Sequence, residues 1–226
     1  MLVVVGCASE AEREELPLED DFSGDCSWSE ENDEDVSLGC EDDQYRVLFK
    51  STERPRHIIT RRIGDPIDSG AVEADVTLNA LPGAGADDFA LSGLGCVASP
   101  PDDPTRAYAF SVLSTGSEEH AFAIIKVDET DESLRQDRFQ EILVLEPSDA
   151  VAGVGAKSHI RGECRATEQG VELAMSLDGK QVGTASDPNG FHPFDGFAFL
   201  VAASKAGTDI RYDNFRGEEV GKGDSE

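Results

Sequence analysis

After Asp43 the chain is a series of short segments whose apolar residues recur at every second position, each stopped by turn residues. That pattern leaves little choice of fold. Ala71-Val72-Glu73-Ala74-Asp75-Val76-Thr77-Leu78 alternates cleanly and reads as a half-buried strand. Residues 170–177 alternate in the same way, turn at Asp178-Gly179 and continue over 180–184. Asp-Gly between alternating runs is the strongest local hairpin signal in the chain. Residues 107–113 and 121–127 flank a polar turn at 114–119 and predict a second hairpin. Residues 45–49, 57–60, 89–98, 197–203 and 208–215 are further strands. Only 131–145 has helical capacity, and its second half, 139–145, reads equally well as a strand. About a dozen strands at roughly 8–15-residue spacing predict an all-β sandwich or barrel. No interior linker, fixed-period repeat or low-complexity run follows residue 43, so one domain is expected over 20–217, with 1–19 ahead of it and a flexible tail at 218–226.

The 226 residues carry 47 acidic and 19 basic side chains, a formal net charge of −28. Residues 8–43 hold sixteen acids and one base, Arg13, so more than half of the excess lies in the first fifth of the chain. The concentration reads as a solvated, self-repelling tether ahead of a moderately acidic domain, with a low-affinity cation-binding tail as the sharper alternative. A halophile's acids would instead be spread over the whole chain. Phosphate binding needs a basic patch, and no basic run is present, which argues against nucleic acid and against docking on an anionic membrane through side chains. At 38% hydrophobic residues the chain is not a multi-span membrane protein. Oligomeric state is left open.

The N-terminus reads Met1-Leu2-Val3-Val4-Val5-Gly6-Cys7-Ala8-Ser9. An apolar run ending in a small residue and then Cys is similar to the lipobox of bacterial lipoproteins. The resemblance implies that Cys7 becomes the diacylated first residue of the mature chain, each buried CH₂ of the lipid contributing roughly 0.8 kcal/mol. The polar stretch 8–19 then serves as a spacer. A signal peptide carries a charged n-region and about 7–15 apolar residues, whereas here only the run 2–6 stands ahead of Cys7, with no Lys or Arg before it. The motif therefore reads as truncated, with an ordinary N-terminus as the alternative. The expected location is extracytoplasmic, with membrane contact through the lipid alone.

With Cys7 set aside, Cys26, Cys40, Cys96 and Cys164 remain, and none forms a C-x-x-C or a structural zinc spacing. Four Cys allow three pairings. A Cys26–Cys40 bridge would hold down a polar, acidic loop with little apolar surface of its own, contributing roughly 3 kcal/mol in the chain-entropy model. Cys96 and Cys164 sit in strand-like stretches and suit a cross-strand or between-sheet bridge. Four free thiols are the alternative.

Asp20-Asp21-Phe22-Ser23 is followed by a strand and then Gly70-Ala71-Val72-Glu73-Ala74-Asp75-Val76. Later come residues 170–177, Asp178-Gly179, Asp187, Asp195-Gly196-Phe197-Ala198-Phe199 and Ile210-Arg211-Tyr212-Asp213-Asn214-Phe215. This order resembles the concanavalin A-like jelly rolls of the laminin-G and laminarinase type, closest to the non-enzymatic versions in exported bacterial lipoproteins. The resemblance implies a two-sheet antiparallel jelly-roll sandwich over about residues 20–217, with its first and last strands side by side. It also implies a structural Ca²⁺ near their meeting point, where Asp20, Asp21 and Asp213 match by position.

Glucanases of this superfamily carry E-x-D-x-x-E, with two carboxylates about 5–5.5 Å apart for retaining chemistry. The nearest approach here is Glu73-Ala74-Asp75-Val76-Thr77-Leu78, in which Leu78 replaces the third acid and the strand lies too early in the chain. Glu73 and Asp75 share a strand face and read as two solvent-facing acids. There is no G-x-S-x-G elbow, no H-E-x-x-H among His57, His120, His159 and His192, and no P-loop. Gly93-Leu94-Gly95-Cys96-Val97-Ala98 matches G-x-G-x-x-A only formally, because no helix follows it. For sugar stacking, Trp28 inside the 26–40 loop is the leading ring, ahead of Tyr45 and Tyr108; the alternative for Trp28 is to cover the sandwich edge.

The expected function is an exported, lipid-anchored, non-catalytic module binding carbohydrate or another cell-envelope component. A divergent glycoside hydrolase-like enzyme and a protein-interaction or structural surface lipoprotein are the alternatives. An enzyme needs two carboxylates facing one cleft, a lectin-like module exposed rings, and an interaction protein a flat apolar patch.

Overall fold

The computed structural model describes residues 3–5, 15–98, 106–130 and 140–221. Sixteen strands and no helix occur among them. In chain order they are β1 (Val3–Val5), β2 (Leu18–Asp20), β3 (Glu31–Asn32), β4 (Val36–Glu41), β5 (Gln44–Phe49) and β6 (Arg56–Ile67). Next come β7 (Ser69–Ala80), β8 (Phe89–Val97), β9 (Arg106–Thr115), β10 (His120–Asp128) and β11 (Gln140–Pro147). The last five are β12 (Lys157–Thr167), β13 (Gly170–Leu177), β14 (Lys180–Asp187), β15 (Phe194–Ala203) and β16 (Asp209–Glu219).

They form two sheets. The seven-stranded sheet runs β1-β6-β15-β8-β9-β10-β11, and the nine-stranded sheet β14-β13-β12-β7-β16-β5-β4-β3 with β2 paired to β16. All pairings are antiparallel except β1, which lies parallel to β6 with Val3 opposite His57. The expected neighbours at the chain ends meet: Phe215 of β16 stands opposite Asp20 of β2. Asp178 and Gly179 both have positive φ and close the β13–β14 hairpin, as the sequence predicts. Asp42-Asp43 makes the same kind of two-residue turn between β4 and β5; Asp tolerates the left-handed region less readily than Gly, so its signal is weaker.

Tyr108, Phe110, Phe197, Phe199, Tyr212 and Phe215 fill the space between the sheets with Ile59, Leu94, Ile160 and Met175. Two disulfides are present. Cys96–Cys164 joins β8 to β12 and so ties one sheet to the other, while Cys26–Cys40 pins the 26–40 segment to β4. That segment is not the bare polar loop its composition suggests. Val36, Leu38 and Trp28 are buried from it, and residues 36–41 are strand. Its acids are not all solvated either: Arg54 is gripped by Glu31 (3.0 Å), Asp35 (2.7 Å) and Asp33. The expected tether character therefore stops short of residues 30–43.

Of the ambiguous stretch 139–145, residues 140–145 are in strand β11, and the rest of the helix-capable stretch, 131–139, lies outside the described residues.

Candidate binding face

β12 reads Lys157-Ser158-His159-Ile160-Arg161-Gly162-Glu163-Cys164-Arg165. Its even positions are buried in the sandwich, so its odd positions must face outward. Lys157, His159, Arg161 and Arg165 thus stand in one line on the outer face of the nine-stranded sheet.

β7 supplies the answering acids. His159 is opposite Asp75 and Arg161 opposite Glu73. His159 Nδ1 lies 2.9 Å from Asp75 Oδ1, and Lys157 Nζ 2.9 Å from Asp75 Oδ2. Asn214, at positive φ in an irregular stretch of β16, donates its amide to Asp75 at 2.8 Å. Arg161 reaches Glu73 at 2.7 Å, Glu218 at 3.1 Å and Glu163 at 3.2 Å. Burial alone would raise the Asp75 carboxyl, but its Lys157, Asn214 and His159 donors outweigh that and hold it below the ordinary carboxylate range. Burial opposes ionisation of Glu163 too, and Arg165 and Arg161 override it. Glu73 and Asp75 therefore do share a face, as their spacing requires, and each is neutralised by cations.

On the other side of this line, β12, β13 and β14 enclose a shallow groove of about 550 Å³. Arg165 is directly opposite Glu172, yet it turns to Glu163 at 2.8 Å. That leaves the Glu172 side chain without a partner, and it lines the groove with Gln181, Thr184 and Ser186, whose side chains likewise make no hydrogen bond among the described residues. Ala174 forms its low floor. A carboxylate, a carboxamide and two hydroxyls on so flat a base suit a ligand rich in hydroxyl groups. A second groove of about 470 Å³ lies along β3 and β4 and is acidic, with Glu30, Glu31 and Glu41 beside Arg46.

The outer face of the seven-stranded sheet is of another character. Val97, Ala107, Ala109, Ala123, Ile125, Val127, Ala198 and Leu200 are buried there as well, forming a second apolar layer. Gly93 and Gly95 lie so close to β9 that a Cβ would strike Phe110 O and Tyr108 O.

The rings singled out as sugar platforms are core residues. Trp28, at 4% exposure, is stacked on Phe199 at 4.1 Å between centroids, with Arg61 over its ring. The edge-covering alternative describes it better than an exposed ring does, because the ring is buried against these neighbours. Tyr45 is fully buried and donates to Ser29 O at 2.6 Å. Tyr108 is fully buried and donates to Asp187 Oδ2 at 2.7 Å, while Lys126 Nζ sits 2.6 Å from the same oxygen. Burial, and then the neighbouring carboxylate, drives the Tyr108 hydroxyl's pKa far up.

The three acids matched to calcium serve separate neighbours. Asp20 accepts from Phe22 N, Ser27 Oγ and Arg61 Nη1. Asp21 is tied to Ser23, and Asp213 accepts from Asn214 N and lies 3.8 Å from Lys157. Among the described residues, no group of three or more His, Cys, Asp or Glu gathers as a metal site. Cys7 lies outside the described residues. The basic line of β12 was not picked out from the sequence; its signal is the alternation Lys157-x-His159-x-Arg161, rare in so acidic a chain.

The same two-sheet arrangement occurs in solved proteins. An alginate lyase aligns with a TM-score of 0.60 at 11% identity, covering 92% of this chain and 98% of its own. The β-glucanase of Bacillus licheniformis aligns at 0.55 and 10%, covering 90% and 98%. A glycosidic hydrolase aligns at 0.58 and 10%, covering 93% and 99%. The fold is a concanavalin A-like jelly roll. Identities this low establish the jelly roll and nothing about its chemistry. No protein-family model matches the chain, and no curated protein matches it.

Proposed function

We propose that this jelly roll is an exported, non-catalytic module that binds a glycan or another polyhydroxylated envelope component in the β12–β14 groove, tethered by a lipid on Cys7. The observation that carries this reading is the row of unpartnered polar side chains, Glu172, Gln181, Thr184 and Ser186, on one flat face. Two disulfides suit an oxidising compartment. The solved proteins of this fold include an alginate lyase and a β-glucanase, so the scaffold is one that accommodates polysaccharides. The glycan reading rests on hydrogen bonding without ring stacking, which predicts modest affinity.

A glycan array probed with the full chain tests the reading. It expects retention of at least one neutral glycan, lost about tenfold or more in Glu172→Ala and in Gln181→Ala. Binding that both variants leave unchanged would remove the groove, and turnover of a retained glycan would remove the non-catalytic assignment. Mass spectrometry of protein expressed from its natural upstream region tests the anchor. A diacylglyceryl mass on a chain beginning at Cys7 is expected; an unmodified thiol there rules the anchor out.

A further inference from the structure

β11 ends the seven-stranded sheet. Among the described residues its sole strand partner is β10, so its outer row of backbone amides and carbonyls has no ladder. Among the described residues, two of the three exposed large apolar side chains, Ile142 (52%) and Leu145 (50%), are on this strand. Scattered exposed apolar residues are ordinary, but a pair side by side on one edge strand is the mark of an interaction surface. Ile142 stands opposite Ile125 and Leu145 opposite Ala123, so both project on the outer side of the sheet, continuous with its buried apolar layer.

Charge narrows the occupant. The apolar pair is bracketed by exposed Glu141, Glu146 and Asp149, with no Lys or Arg between residues 140 and 154. Edge strands are usually guarded against unwanted pairing by charges, a bulge or Pro, and β11 carries two Glu, a register shift and a terminal Pro147. Those acids repel a second copy of this chain. A twofold antiparallel pairing centred on Leu143 and Val144 would set Glu141 against Glu146, between two molecules of net charge −28 each. The same acids attract a basic strand.

We propose that the free edge of β11 is a docking site for an extended, basic segment of a partner protein, added as an extra strand. Its apolar side chains would cover Ile142 and Leu145, and its Lys or Arg residues would face Glu141 and Glu146. The site is separate from the β12–β14 groove and does not depend on glycan binding.

The test uses the full chain and a ten-residue peptide alternating Lys and Val, read by fluorescence anisotropy at physiological salt. Its control is the same peptide N-methylated at alternate amides, equal in charge and apolar content but unable to extend a sheet. At least tenfold tighter binding of the unmethylated peptide is expected, together with slowed hydrogen exchange at β11 amides. Ile142→Lys/Leu145→Lys should abolish that difference while leaving the thermal midpoint unchanged, because both side chains are half exposed. Equal binding of the two peptides, no binding of either, or binding indifferent to the double variant would each overturn the proposal. Sedimentation showing a dimer that the double variant dissolves would do the same, by making a second copy the occupant.

Discussion

Gly162 of β12 lies directly beneath the ring of Phe110 of β9, where any Cβ would overlap the aromatic carbons. Two sheets packed face to face approach only as closely as their largest opposed side chains permit. Here a fully buried Phe on one sheet is accommodated by a missing side chain on the other.

Gly162→Ala should therefore force Phe110 from its place or push the sheets apart, lowering stability by about 3 kcal/mol. Gly24→Ala, at a site with no atom near its Cβ position, should change it by less than about 0.5 kcal/mol. Urea unfolding midpoints check the pair, and equal midpoints would refute the packing argument.

The two disulfides should differ in what their loss does. Cys96–Cys164 closes a sequence separation of 68 residues and joins the sheets, whereas Cys26–Cys40 closes 14. Loop-closure entropy gives about 4 kcal/mol for the first and about 3 kcal/mol for the second. Cys96→Ala/Cys164→Ala should lower the unfolding midpoint of the whole domain. Cys26→Ala/Cys40→Ala should in addition speed hydrogen exchange in β3 and β4 ahead of the rest.

His57 makes stability depend on pH. It is fully buried against Phe49, and neither ring nitrogen makes a side-chain hydrogen bond. Burial, and then the Arg54 charge, lowers its pKa from 6.5 to about 4, with the Arg54 backbone opposing part of the change. The unfolded chain takes up a proton near pH 6.5 while the native imidazole stays neutral. The stability is complete above pH 6.5, falls as pH drops from there, and its loss is complete below about pH 4. The difference amounts to about 3 kcal/mol. His57→Leu should flatten the pH dependence of the urea midpoint between pH 6.5 and 4; an unchanged slope would show that His57 is not its source.

Tyr108 links β9 to the 188–193 loop through one oxygen, donating to Asp187 and accepting from Phe191 N at 3.1 Å. Tyr108→Phe removes both bonds and leaves the Phe191 amide without that acceptor. A loss of about 2 kcal/mol is expected, with faster exchange of the Phe191 amide. If exchange there is unaltered, the hydroxyl is not what holds the loop.

Strand positions and the Asp178-Gly179 hairpin were legible because period-two alternation and positive-φ turn residues are local properties. The shared face of Glu73 and Asp75 was legible for the same reason. Trp28 was misjudged as an exposed ring because its surroundings in sequence are polar and carry no period. Its partners, Phe199 and Phe215, come from the far end of the chain. Glu31, Asp33 and Asp35 read as part of a solvated run because their partner Arg54 lies beyond that run in sequence. β15 is buried at nearly every position, so alternation could not say which of its faces meets the core.

Composition, alternation and Cys spacing by themselves determined an all-β chain, where its strands break, and that a bridge between strands was feasible. Only the tertiary structure decided the order of strands in each sheet, which Cys pair spans the sandwich, and that His159 should meet Asp75 across a separation of 84 residues. The reason is physical: backbone preferences act over a few residues, whereas partners across a sheet are chosen by the packing of both sheets together.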